Sequence, residues 1–117
     1  MRIVAGKFRT RRIEAPKGLA TRPTSDRVRQ ALFNVLEHGA PQFDFANARV
    51  LDLFAGSGAL GLEAMSRGAR FCLFVEESAD ARASIRRNVE ALSLTGVTKI
   101  WRRDATNHHL VFTAAAL

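Results

Sequence analysis

The sequence predicts an α/β protein, a truncated Rossmann-like parallel sheet of about three to four strands, preceded by a basic β-hairpin and a helix. Three observations predict it. The run Val50-Leu51-Asp52-Leu53-Phe54 breaks on Gly56-x-Gly58-x-x-Gly61 and resumes with helical periodicity, which reads as strand, tight turn, helix. A second continuous apolar run, Phe71-Cys72-Leu73-Phe74-Val75, has the composition of a strand covered on both faces. It ends in Glu76-Glu77, and Glu76 stands 20 positions after Gly56, where nucleotide-binding units place a carboxylate for ribose hydroxyls.

The chain has 117 residues, 47% hydrophobic and 25% charged, the balance of an ordinary globular domain. No apolar run approaches the roughly 20 residues of a membrane span, and no apolar signal core opens the chain. The expectation is therefore a cytoplasmic protein with no membrane partner. Its formal net charge of +7 is concentrated. Up to Gln30 there are nine basic residues against Glu14 and Asp26; the remaining basic and acidic residues cancel. A basic block of this kind points to a polyanion, because each phosphate contact releases counterions. A solvated charged arm is the alternative for the same pattern.

Taken in order, residues Arg2 to Ala15 alternate imperfectly, with Ile3, Phe8 and Ile13 among cationic residues, and read as a β-hairpin or two short strands. Phe8 could anchor that hairpin or stack on a base. Pro23, the cap candidates Thr24 and Ser25, and Asp26 then mark a helix start. Val28, Ala31, Leu32, Val35 and Leu36 form its apolar stripe, with Arg27 and Arg29 off the stripe, and Gly39-Ala40-Pro41 end it near His38. Phe43 and Phe45 are expected to tuck under the sheet. These readings divide the chain into an RNA-facing part, 1–45, and the first half of a cofactor-binding domain, 46–117.

The first strand is expected over Arg49 to Phe54, with a short helix from Ala59 to Arg67 closed by Gly68. The second strand runs from Arg70 to Val75. A second helix follows, capped by Ser78, with Ala81, Ile85, Val89 and Leu92 on its apolar face and an end at Thr95-Gly96. The third strand is expected from Val97 to Arg103, with Asp104 at its mouth, and Leu110-Val111-Phe112 as the start of a fourth. Cys72 reads as a small buried hydrophobe. His108 and His109 are adjacent and diverge on either a strand or a helix, so no metal is expected.

Both nicotinamide dinucleotides and S-adenosylmethionine (SAM) would place a ribose on the second strand's carboxylate, with Glu77 as the fallback for Glu76. Asp52 favours SAM: a pyrophosphate beside it would be repelled, whereas the methionine ammonium suits a carboxylate. An oxidoreductase is correspondingly disfavoured.

The segment Asp52 to Ala64, together with Arg22-Pro23-Thr24-Ser25-Asp26-Arg27-Val28-Arg29 and the opening Met1 to Gly6, resembles the bacterial class I methyltransferases that modify the N2 amino group of a guanine in 16S ribosomal RNA. The glycine motif is shared by many class I methyltransferases; the Arg-Pro-Thr block following a basic hairpin is more specific. The resemblance runs from Met1 to about Thr106. It implies that Asp52, Phe54, Ala55, Gly56, Ser57, Gly58 and Ala59 surround the methionine part of SAM, that Glu76 or Glu77 holds the ribose, and that Asp104 and Ala105 flank the adenine. Arg22 and Thr24 would lie at the site's mouth. Arg2, Lys7, Arg9, Arg11, Arg12, Arg22, Arg27 and Arg29 would face 16S ribosomal RNA in the small ribosomal subunit, with the protein a monomer.

In that family the fourth strand ends in an Asp-Pro-Pro-Tyr or Asp-Pro-Pro-Phe turn that holds the target amino group. Here Leu110-Val111-Phe112 is followed by Thr113-Ala114-Ala115, and the prolines are Pro16, Pro23 and Pro41. The catalytic residues are thus left unassigned, and the expectation is a fragment or truncated frame that binds SAM without the catalytic turn. A non-catalytic RNA-binding or ribosome-assembly module with a vestigial cofactor fold is the alternative.

Overall fold

A computed structural model describes residues 1–16, 25–53 and 55–102. Three parallel strands, β1 (Arg49–Leu53), β2 (Phe71–Val75) and β3 (Thr98–Trp101), lie in the order β1-β2-β3. Leu51 stands beside Leu73, and Leu73 beside Lys99. The connections carry α2 (Ala59–Ser66) and α3 (Ala79–Ala91), the crossover helices that a parallel sheet requires. A further helix, α1 (Asp26–His38), precedes the sheet.

The core explains why these residues choose these elements. Cys72 and Phe74 are fully buried on the sheet face that receives α2, where Leu62 and Met65 join them, and Ile85 and Val89 of α3 extend the same cluster. Helix and sheet meet at Gly61, where an added Cβ would stand 2.5 Å from Phe74 Cε1 and 2.7 Å from Cys72 Sγ. Gly61→Ala should therefore force α2 off the sheet, with a loss of about 1–3 kcal/mol. Urea unfolding measures it; an unchanged midpoint would mean that the contact yields at no cost.

Ser25 caps α1 by accepting from Val28 N at 3.2 Å, and Ser78 caps α3 by accepting from Ala81 N at 3.3 Å. Three expectations are corrected in detail. Helix α3 stops at Ala91, because Ser93 takes a positive φ of 58°, and the 3-10 turn Thr95–Val97 carries the chain into β3. Strand β3 correspondingly begins at Thr98. The N-terminal arm forms the antiparallel bridge Arg2↔Arg12 rather than a regular hairpin, with bonds from Ile3 N to Arg11 O and from Ile13 N to Met1 O. Ile3 and Ile13 are its buried anchors, and Phe8 packs against the same core.

Helix α1 is turned differently from its sequence pattern. Arg29 and Phe33 are buried, whereas Val28 is 57% and Val35 68% exposed. Phe33 stacks on Phe45 at 5.1 Å, and Phe43 meets Phe45 edge-on at 4.7 Å. Leu32 and Leu36 of the apolar stripe, with Phe45, Val50, Leu51 and Leu60, line a shallow cleft beside β1.

No helix among the described residues is long and apolar enough to cross a membrane.

Candidate cofactor site and basic arm

The turn between β1 and α2 is built from residues that keep the backbone bare. Gly56 and Gly58 take φ of 58° and 84°, conformations that L side chains rarely adopt. Gly58 is also the N-cap of α2 and contributes no side-chain cap, which leaves the positive end of the helix dipole facing the turn. Ala55, Ser57 and Ala59 complete a buried loop held by Ala55 N to Val75 O at 3.1 Å and Gly58 N to Ala55 O at 2.7 Å.

Two carboxylates frame this loop. Glu76, at the end of β2, accepts from Gly56 N through Oε1 at 2.8 Å and from Ser78 N through Oε2 at 2.9 Å. It thus bridges the glycine turn and the first turn of α3. Its neighbour Glu77 is exposed, and its backbone carbonyl accepts from Arg82 Nη1 at 2.6 Å. Of the two alternatives for a ribose ligand, the one placed against the glycine turn is Glu76.

Asp52 is buried on β1, and its Oδ2 accepts from Gly61 N at 3.0 Å. It supplies from the strand the side-chain acceptor that the glycine N-cap of α2 lacks. Burial pushes its carboxyl up to about 7, opposed by the Gly61 hydrogen bond and reinforced by the charge of Glu76. Burial likewise drives the Cys72 thiol far up, with Asp52 adding to the shift, so Cys72 is an inert core residue. The residues present fit an adenosyl cofactor: bare backbone at a helix N-terminus on one side, and a carboxylate at the end of the adjacent strand on the other. Phe54, Arg22, Thr24, Asp104 and Ala105 lie outside the described residues, as do His108, His109 and the expected fourth strand.

The basic arm divides into exposed and structural cations. Arg2, Lys7, Arg9, Arg11, Arg12 and Arg27 are exposed, although Arg11 Nη2 donates to Ala91 O at 2.8 Å and so holds a carbonyl at the end of α3. Arg29, expected to face RNA, is instead fully buried. Its Nε meets Glu63 Oε1 at 3.1 Å, and its Nη2 donates to Asp26 Oδ1 at 2.8 Å and to the Arg2 carbonyl. A guanidinium enclosed in this way serves the fold and does not reach a polyanion.

Glu63 is the hub that sequence reasoning missed. Fully buried in α2, it accepts from Val4 N at 2.9 Å, Ala5 N at 3.1 Å, Arg29 Nε and Arg67 Nε. Arg67 also pairs with Glu37 of α1. The signal was available: Glu63 is the one charged residue of a helix that is otherwise apolar or small all round. Among the described residues no group of three or more His, Cys, Asp or Glu could hold a metal ion.

The architecture and its glycine turn define a class I methyltransferase fold, shared with a SAM-dependent methyltransferase from Thiobacillus denitrificans solved with S-adenosyl-L-homocysteine (24% identity, TM-score 0.59, 80% of this chain and 35% of that one). The chain belongs to the family described as conserved hypothetical protein 95, which matches residues 1–116. Ribosomal RNA small subunit methyltransferase D of Escherichia coli is 38% identical over 120 residues, covering 96% of this chain and 58% of its own length. A Bacillus subtilis relative is 42% identical over 105 residues, covering 90% of this chain and 54% of its own. Hypothetical protein TTHA0928 of Thermus thermophilus superposes with a TM-score of 0.70 at 34% identity, over 91% of this chain and 57% of that one. The chain thus spans little more than half the length of these two curated relatives.

Proposed function

We propose that this chain supplies the cofactor-binding part and the RNA-facing arm of a SAM-dependent methyltransferase that modifies the N2 amino group of a guanine in 16S ribosomal RNA. The observation that carries the cofactor assignment is the Glu76 carboxylate seated on the glycine turn, 2.8 Å from Gly56 N. In that position it can exchange its backbone partners for the two ribose hydroxyls, while the turn and the N-terminus of α2 receive the methionine portion. Asp52 lies behind the turn to balance the ammonium. SAM supplies a methyl group on a sulfonium, already activated toward a nucleophile. The protein's task is therefore to position an amino group and exclude water rather than to supply a strong base. The exposed arm cations Arg2, Lys7, Arg9, Arg12 and Arg27 support an RNA substrate, and the E. coli relative's name supports the small subunit as its source.

Two measurements test the reading. Calorimetric titration of the chain is expected to show binding of SAM but not of NAD; the reverse preference would overturn the cofactor assignment. Deletion of the gene is expected to remove one N2-methylguanosine from the nucleosides of 16S ribosomal RNA. An unchanged nucleoside profile would overturn the substrate assignment and favour the RNA-binding module without catalysis.

A further inference from the structure

A side chain outside the glycine motif joins the arm to the cofactor turn. Asn88, on α3 and 4% exposed, makes three hydrogen bonds. Its Oδ1 accepts from Glu14 N at 2.8 Å, while its Nδ2 donates to Glu14 O at 2.9 Å and to Ser57 O at 3.0 Å. The amide can sit only one way round, because two carbonyls and one N–H face it. It therefore pairs with the arm as a strand would, and the same amino group holds the carbonyl at the centre of the glycine turn.

The surroundings give this joint a mechanical role. Beside it lies a groove of about 530 Å³ between the arm and α3, with Arg12 and Arg87 on its rim. Arg87 Nε in turn binds Glu14 Oε1 at 3.0 Å. RNA drawn to Arg12 and Arg87 bears on Glu14, and a cofactor in the turn bears on Ser57; Asn88 is the group common to both.

We propose that Asn88 is a positioning residue that couples the RNA-facing arm to the cofactor turn, so that occupancy of one strengthens binding at the other. This rests on the cofactor reading above. The coupling is reciprocal by linkage, so SAM tightens RNA binding by the same factor as RNA tightens SAM binding.

The test measures SAM affinity of the whole protein by calorimetry, with and without small-subunit ribosomal RNA, in wild type and in Asn88→Asp and Asn88→Ala. Asn88→Asp keeps the acceptor for Glu14 N and loses both donations. The wild type is expected to bind SAM about fivefold or more tightly with RNA present. Either variant should bring that ratio to about one, even if it also weakens SAM binding alone, a change that a merely structural role would not produce. A wild-type ratio of one, or an unchanged ratio in a folded variant, overturns the proposal and leaves the cofactor reading standing; failure of the wild type to bind SAM at all overturns both. Should the variants not fold, hydrogen exchange on the wild type decides. Slower exchange at Glu14 N on adding SAM supports the coupling, and protection confined to the glycine turn overturns it.

Discussion

Glu63→Ala is expected to destabilise the fold by about 3–5 kcal/mol, the cost of leaving a buried charge without its partner. The magnitude follows from what Glu63 holds. Arg29 would keep Asp26 and the Arg2 carbonyl but lose Glu63, a partner buried as deeply as itself. Arg67 would keep Glu37, and the backbone amides of Val4 and Ala5 would lose their acceptors together. Against a total stability of about 5–15 kcal/mol, such a loss leaves the domain marginal. Glu63→Gln should cost less, since one carbonyl oxygen still accepts. The double replacement Glu63→Leu with Arg29→Met should recover much of the loss, because an apolar pair needs no desolvation of charge. Urea midpoints of the three variants check the series. If Glu63→Ala proves as stable as wild type, the network is ornamental and the arm is held by its other contacts, among them Ile3, Ile13 and Asn88.

The same network shows where sequence reading succeeds and where it stops. Strands, crossover helices and caps follow from local rules, and Ser25, Ser78 and the Gly56–Gly58 turn stand where spacing put them. The spacing from Gly56 favours Glu76 with Glu77 as the fallback, and in the fold it is Glu76 that meets Gly56 N, since adjacent residues on an extended chain point apart. The orientation of α1 was not legible. Periodicity identifies an apolar face, but burial depends on what the neighbouring element offers. Here α2 offers a buried carboxylate, so Arg29 turns inward and Val28 and Val35 stay outside. Asn88 escaped notice for a related reason: a polar residue among charged ones carries no pattern until Glu14 and Ser57, distant in sequence, converge on it.

Asp52 yields the second large effect, and its sign can be worked out. Its carboxyl titrates near 3.8 in an unfolded chain and is raised to about 7 in the fold, chiefly by burial. The folded state therefore holds its proton more tightly than the unfolded one. The resulting stabilisation is full below about pH 4 and is lost as pH rises through about 7. Asp52→Asn removes the titration while keeping an oxygen for Gly61 N. The variant should match wild type near pH 4, where both side chains are neutral, and exceed it near pH 7 to 8, with a pH-dependent difference on the order of 4 kcal/mol across the window. Cofactor affinity should move the opposite way. A cationic ammonium favours the ionised carboxylate, so wild-type SAM affinity should rise with pH below about 7, approaching tenfold per unit, and level off above it. Asp52→Asn should bind more weakly and without that slope. Calorimetry from about pH 5.5 to about 8.5, read beside urea midpoints from about pH 4 to about 8, separates the two effects. Parallel slopes in wild type and variant would assign the pH dependence to another group, and equal affinities would confine Asp52 to capping α2.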